Sequence, residues 1–127
     1  MRKFAVFFSI LIGFIFPLTS HAYHVDLKPC IEVSHCAIQE LDVENIDQPF
    51  ERIKNIIENT PRSIIVELED KYLHAEVTSK WMKYVDDLEV SFIPESNKLL
   101  IRSESRVGES DLGVNQKRVD TLKSKLF

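Results

Sequence analysis

Residues 64–104 carry the most regular pattern of the chain and read IIVELEDKYLHAEVTSKWMKYVDDLEVSFIPESNKLLIRSE. Every second position is apolar in four short runs, within residues 64–68, 73–79, 88–92 and 99–103, except that the second and fourth runs end on Ser79 and Ser103. This period of two is typical of strands that bury one face, and short turn sequences link the runs. We therefore predict a four-stranded antiparallel meander, with Ile64, Val66 and Leu68 on the buried face of its first strand.

Apolar side chains at helical spacing lie on both sides of these strands. The upstream group follows the candidate caps Asp47 and Gln48, ends before Pro61, and consists of Phe50, Ile53, Ile56 and Ile57. The downstream group has Asn115 as its candidate cap and consists of Val119, Leu122 and Leu126. The expected fold is α+β, in the order helix-strand-strand-strand-strand-helix, with both helices packed on one face of the sheet.

The first 22 residues have the pattern of a cleavable export signal. A positive start over residues 1–3 precedes an uncharged stretch over 4–18, and small side chains lie at the expected cut before Tyr23. The stretch is shorter than the roughly 20 residues of a membrane-spanning helix, so an uncleaved anchor is the weaker alternative. We predict a signal peptide over 1–22, an irregular N-terminal arm with a cysteine pair over 23–46, and a single α+β domain over 47–127. The mature chain is expected in the periplasm or secreted, with no stable membrane insertion after cleavage.

The charge of the chain argues against one class of partner. The net charge is −4, and it becomes −6 once Arg2 and Lys3 leave with the signal. Nucleic-acid binding needs a clustered basic face, which an acidic chain of this size is poorly suited to supply. The expected partner is therefore an unknown small molecule or an envelope protein.

Two cysteines, Cys30 and Cys36, lie in the N-terminal arm. An even number of cysteines in an exported chain favours a disulfide. A reactive free pair and a metal site shared with His24 and His35 are the alternatives, although the cysteine spacing is wider than that of common zinc sites.

The sheet face opposite the helices is expected to be polar. The alternation places on it Glu67, His74, Glu76, Thr78, Glu89, Ser91, Arg102 and Glu104. His74 and Glu76 point the same way from one strand, as a base and its orienting partner do. A solvated sheet face has the same composition without any chemistry, so both interpretations stay open.

Acidic, basic and hydroxyl side chains concentrate between residues 86 and 118. Consecutive strands place acids opposite guanidiniums, and a loop over 105–114 leads into the last helix. Ser103 and Ser105 take positions where the alternation calls for apolar residues, so they need hydrogen-bond partners. The members of this cluster are Asp86, Asp87, Glu89, Arg102, Ser103, Ser105, Arg106, Asp111, Asn115 and Arg118. A structural network and an anion site at the helix start are both compatible with it.

Two stretches of this region resemble the domain of unknown function 1499 family. The first, over residues 70–89, contains DKYLHAE and YVDDLE, and the second, over 101–119, contains IRSESRVG and SDLGVN. The cysteine pair with five intervening residues is similar to the N-terminal motif of that family. The resemblance covers nearly all of the chain after the signal. It implies a small α+β domain found in bacteria and plastids, and it carries no activity.

The sequence contains no nucleophile-and-base motif, phosphate-binding loop or metal-ligand pattern, which argues against an enzyme. Aromatic residues are few outside the signal, so no stacking surface is expected. We expect a binding or accessory module without cofactor or metal, in which the polar cluster stabilises the fold and can hold a small anion. One alternative is a hydrolase or isomerase that uses His74, or Asp86 and Asp87, with Arg102 and Arg106. The other is a structural partner in an envelope complex.

Overall fold

Five strands and two helices follow one another along residues 26–127, the part of the chain that this computed structural model describes. They are β1 Cys36–Asp42, α1 Pro49–Glu58, β2 Ser63–Leu68, β3 Tyr72–Thr78, β4 Val85–Ile93, β5 Lys98–Ser105 and α2 Val114–Leu126. The signal predicted over 1–22 lies outside the described residues. Within residues 26–127, no helix has the length and apolar character needed to cross a membrane.

The strands form one antiparallel sheet in the order β1-β5-β4-β3-β2. Strands β2 to β5 are the predicted meander, and the α+β class is as predicted. The number of strands was wrong, because β1 lies in the segment predicted as an irregular arm and pairs with β5. The positions of β1 that share the core-facing side are Ala37, Gln39 and Leu41, which include only one large apolar side chain. The period of two is therefore weak there.

The hydrophobic core lies between the sheet and the helices. The central strands contribute Leu73, Leu88, Val90, Leu99 and Ile101, which meet the two predicted helical stripes. Helix α1 contacts α2 and β2, whereas α2 lies against β1 and β5. Both helices therefore cover one face of the sheet, as expected, and no helix of residues 26–127 lies on the opposite face.

Strand β2 does not bury the three residues that were predicted to lie on its core face. Ile64, Val66 and Leu68 are between 50% and 68% exposed, and Ile65 packs against the core instead. The register of β2 against β3 shifts between Ile65 and Glu67. An irregularity of this kind is a β-bulge, which redirects the side chains that follow it.

Asn115 is not the cap of α2. Gly113 takes the cap position with φ 80°, and Asn115 lies in the first turn, where it is completely buried. The carboxylate of Asp111 satisfies the first backbone donors instead. Its Oδ1 accepts the N–H of Gly113 at 2.8 Å, and its Oδ2 accepts the N–H of Asn115 at 3.0 Å.

Cys30 and Cys36 are joined by a disulfide, as predicted, with their Cα atoms 5.6 Å apart. The bond ties the segment before β1 to the first residue of that strand. The carbonyl of His35 accepts the N–H of Ser105, and the carbonyl of Ser34 accepts the N–H of Asp111, both at 2.9 Å. The segment is therefore anchored on the end of β5 and on the loop before α2.

Candidate functional site

The sheet divides the predicted polar cluster between its two faces, because successive residues of a strand point to opposite sides. The face without helices carries a group that we call the open-face network: His74, Glu76, Asp87, Glu89, Arg102 and Arg106. The helix-covered side carries a group that we call the buried node: Asp86, Ser103, Ser105, Asp111, Asn115 and Arg118. Asp86 and Asp87 thus belong to different groups although they are neighbours in sequence.

One half of the open-face network is centred on Arg102. Its Nη1 donates to Glu89 Oε2 at 3.2 Å and its Nη2 donates to Glu104 Oε2 at 2.7 Å. The hydroxyl of Tyr72 donates to the other oxygen of Glu89 at 2.8 Å. Burial, together with this hydrogen bond, raises the pKa of the Tyr72 hydroxyl. Tyr72, Ser91 and Arg102 are all buried, so this part of the face is not simply wet.

The other half is centred on Asp87. Its Oδ1 lies 2.7 Å from His74 Nε2, and Arg106 donates to its two oxygens at 2.7 and 2.9 Å. Glu76 bonds to Arg106 at 3.0 Å, so His74 contacts Asp87 rather than the expected Glu76. The hydrogen bonds from Arg106 hold the pKa of Asp87 below its usual range, against the opposing effect of burial.

The buried node joins the middle of the sheet to α2. Ser103 and Asn115 are fully buried, and the serine hydroxyl donates to Asn115 Oδ1 at 2.6 Å. Arg118 Nη1 donates to both oxygens, at 2.8 and 2.9 Å, and its Nη2 lies 2.9 Å from Asp86 Oδ2. The polar groups that the alternation places towards the core are thus bonded to one another, as burial requires.

The amide nitrogen of Asn115 completes the node. It lies within 3.0 Å of three oxygens, those of Asp111 Oδ2, Ser105 Oγ and the His35 carbonyl. Burial raises the pKa of Asp111, but the hydrogen bonds from the Asn115 side chain and from the backbone N–H groups of Asn115 and Gly113 outweigh it and lower that pKa below its usual range. One side chain therefore connects β5, α2, the loop before α2 and the segment before β1.

The ion pairs and hydrogen bonds of the two groups occupy the donors that the small anion expected at the start of α2 would need. Arg102, Arg106 and Arg118 are each paired with carboxylates of the chain itself. Asp111 accepts the backbone donors at the helix start. The groups that would bind an anion are therefore already bonded.

A feature that the sequence did not single out lies at the end of the sheet next to the buried node. It is a groove of about 660 Å³ between the β3–β4 loop, residues 79–84, and the β5–α2 loop, residues 106–113. We call it the loop groove. Its walls carry exposed apolar and aromatic side chains: Trp81, Met82, Tyr84, Val107, Leu112 and Val114.

The floor of the loop groove is polar and fixed. Asp86, Ser105 and Asp111 line the groove and belong to the buried node. The β3–β4 loop is closed on itself, because the N–H of Ser79 donates to the Tyr84 carbonyl at 2.8 Å and the N–H of Tyr84 donates to Ser79 Oγ at 2.9 Å. Apolar walls around a few fixed polar groups are the usual composition of a ligand site.

The sequence contains a signal for one wall of this groove. The run KWMKY over residues 80–84 interrupts the strand alternation and places three large apolar or aromatic side chains in a loop. The opposite wall, at Val107 and Leu112, comes from a distant part of the chain. Only the strand order brings the two loops together, so the groove was not predicted.

Residues 26–127 offer little support for a catalytic site at His74 or for a metal site. A histidine bonded to an aspartate can act as an oriented base, but Asp87 is also bound by Arg106. No hydroxyl or thiol side chain of residues 26–127 hydrogen-bonds to His74. In the same range, no three His, Cys, Asp or Glu side chains are grouped to hold a metal ion.

Comparison with known proteins agrees with the resemblance seen in the sequence. The model of the family described as protein of unknown function (DUF1499) matches residues 22–126, which is most of the chain. No curated protein matches it. The chain therefore belongs to the DUF1499 family, a family of unknown function.

Proposed function

We propose that this chain is an exported binding module and that its ligand occupies the loop groove. The proposal rests on the clustering of exposed apolar side chains around this groove. Six of the large hydrophobic residues that are exposed within residues 26–127 line this one groove. Trp81 is 82% exposed and Leu112 is 94% exposed.

Such a surface favours a bound partner. Each Å² of apolar surface removed from water contributes about 25 cal/mol, and a tryptophan is among the largest apolar surfaces that a protein can offer. Scattered apolar residues are ordinary on a protein surface, but a contiguous set around a concave site is typical of ligand binding.

The buried node supports the proposal because it holds the groove in shape. Asn115 fixes the loop before α2 through Asp111 and fixes β5 through Ser105. Arg118 ties Asp86, at the start of β4, to α2. A site held open before the ligand arrives loses less conformational entropy on binding, so the same contacts yield a higher affinity.

Export is the second part of the proposal. The positive start, the uncharged stretch and the small residues before Tyr23 support it. The disulfide between Cys30 and Cys36 also fits a chain that matures in an oxidising compartment such as the periplasm.

The binding proposal is tested with a neutral apolar dye, N-phenyl-1-naphthylamine, whose emission rises in an apolar site. The variant Val107→Lys places a charge in the groove wall. The matched control, Ile64→Lys, makes the same change at an exposed position of β2 that does not line the groove. We expect wild type and Ile64→Lys to bind alike and Val107→Lys to bind at least about tenfold more weakly. Equal binding by both variants, or no binding by wild type, would overturn the proposal.

A further inference from the structure

We infer that the ligand of the loop groove is an organic cation, an ammonium group that carries an apolar chain. The inference rests on the proposed binding function and names the chemical class of its ligand. It follows from the aromatic rings of Trp81 and Tyr84 and the carboxylates of Asp86 and Asp111, which line the same groove.

The two carboxylates differ in how their charge is balanced. Asp86 is paired with Arg118 at 2.9 Å. Asp111 receives its hydrogen bonds from neutral donors, the Asn115 side chain and the backbone of Asn115 and Gly113. Among residues 26–127, no lysine, arginine or histidine forms a salt bridge with Asp111. It is therefore a negative charge in the groove lining that a cationic ligand can balance.

The aromatic wall already binds an ammonium group. Lys80 Nζ lies 4.9 Å from the centroid of the Trp81 ring, which is within the range of a cation–π interaction. The lysine is exposed, so little is lost when it moves away. A ligand ammonium can take the same place over the ring while its chain covers Met82 and Val107.

The charges near the groove do not favour an anion. Arg118, the guanidinium of the buried node, is bonded to Asp86, and the donors at the start of α2 are bonded to Asp111. Among residues 26–127, Lys80 is the cation that lines the groove, and it lies over Trp81. An anionic head group would meet two carboxylates, those of Asp86 and Asp111, and would have only this one lysine of the lining to pair with.

Three probes of equal chain length separate the possibilities: hexyltrimethylammonium, 1-hexanol and hexane-1-sulfonate. Trp81 is the only tryptophan of the chain, so its fluorescence reports binding at the groove. We expect the cation to bind at least about fivefold more tightly than the alcohol, and the sulfonate to bind most weakly. Lys80→Ala should tighten the cation further, because it frees the ring face and removes a like charge.

Two variants test whether Asp111 and Trp81 cause the preference for the cation over the alcohol. Calorimetry measures the binding of both probes to each variant. Asp111→Asn removes the charge but also replaces one of the two oxygens that accept hydrogen bonds, so thermal melting is needed to show that the fold is retained. Trp81→Leu keeps an apolar side chain at an exposed position and removes the ring. Each should reduce the affinity for the cation at least about threefold more than it reduces the affinity for hexanol.

Failure of the cationic ligand and failure of the proposed binding function give different results in these experiments. Equal affinity for all three probes, or a preference for the sulfonate, overturns the cationic ligand while the groove remains a binding site. Trp81-dependent binding to phosphatidylglycerol vesicles without binding of the free cation would overturn it in favour of a membrane surface. Failure of all three probes together with the neutral dye would overturn the proposed function itself.

Discussion

Arg102 Nη1 on β5 lies 3.2 Å from Glu89 Oε2 on β4, and the arginine side chain is only 8% exposed. The same guanidinium also holds Glu104 at 2.7 Å. Arg106 makes similar pairs with Asp87 and Glu76, but its side chain is 43% exposed. Each arginine thus pairs with two carboxylates, but Arg102 is buried and Arg106 is exposed. We therefore expect the two side chains to contribute differently to the stability of the fold.

Removing Arg102 should therefore be costly. Arg102→Ala leaves the mostly buried Glu89 without its cationic partner, with only the Tyr72 hydroxyl still bonded to it, and we expect a loss of about 3 kcal/mol in the free energy of unfolding. Arg106→Ala should lose much less, because water replaces the guanidinium around Asp87. Denaturant unfolding of both variants makes the comparison. Equal losses would show that burial does not separate the two halves of the open-face network.

The free energy of unfolding should fall in acid, partly because the Asp87 carboxylate becomes protonated. Its pKa is lowered in the folded chain by Arg106, so the ionised form is the one that stabilises the fold. This contribution is complete above the pKa of an aspartate in the unfolded chain, about 4, and is lost as the pH falls through that value towards the folded one. Asp87→Asn should flatten the decline in unfolding free energy between about pH 5 and pH 2. The control Asp70→Asn removes a charge from a side chain that is 95% exposed. A decline as steep in Asp87→Asn as in wild type would rule out this role.

The disulfide should stabilise the fold by constraining the unfolded chain. On the chain-entropy model, a bridge between Cys30 and Cys36 contributes about 2 kcal/mol. The double variant Cys30→Ser, Cys36→Ala should lose about that much in denaturant unfolding. Wild type should contain no thiol that reacts with an alkylating agent before a reductant is added. Two reactive thiols in the protein from its native compartment would contradict the bridge.

Export should leave a chain that begins at Tyr23. The apolar stretch over 4–18 is too short for a stable span, and the residues before Tyr23 suit a signal peptidase. Intact mass and N-terminal sequencing of the protein from its native compartment measure the start directly. A full-length chain in the membrane fraction would instead support an uncleaved anchor.

Much of the fold could be predicted from the sequence because its apolar periods are clear. The strands around Leu73, Leu88 and Leu99 and the stripes of both helices are in the predicted places. Strand β1 was missed because its apolar period is weak. The buried side of β2 was misplaced because a bulge changes which residues face the core, and a period of two does not reveal it.

The candidate site was predictable in composition but not in arrangement. The sequence indicated that acids and arginines of β4 and β5 lie opposite one another, as Glu89 and Arg102 do. It could not indicate that Asn115 is buried beneath the sheet, because an asparagine before an apolar stripe is normally a cap. The loop groove depends on two loops that meet only in the folded chain.

We propose that the ligand binds in the loop groove and not on the charged open face. Amide NMR shifts, measured during a titration with hexyltrimethylammonium or the neutral dye, show which of the two surfaces is occupied. We expect saturable shifts at residues 79–86 and 105–114, with the amides of His74 and Glu89 unchanged. Shifts centred on His74 and Glu89, or none at either place up to the solubility of both probes, would contradict the claim.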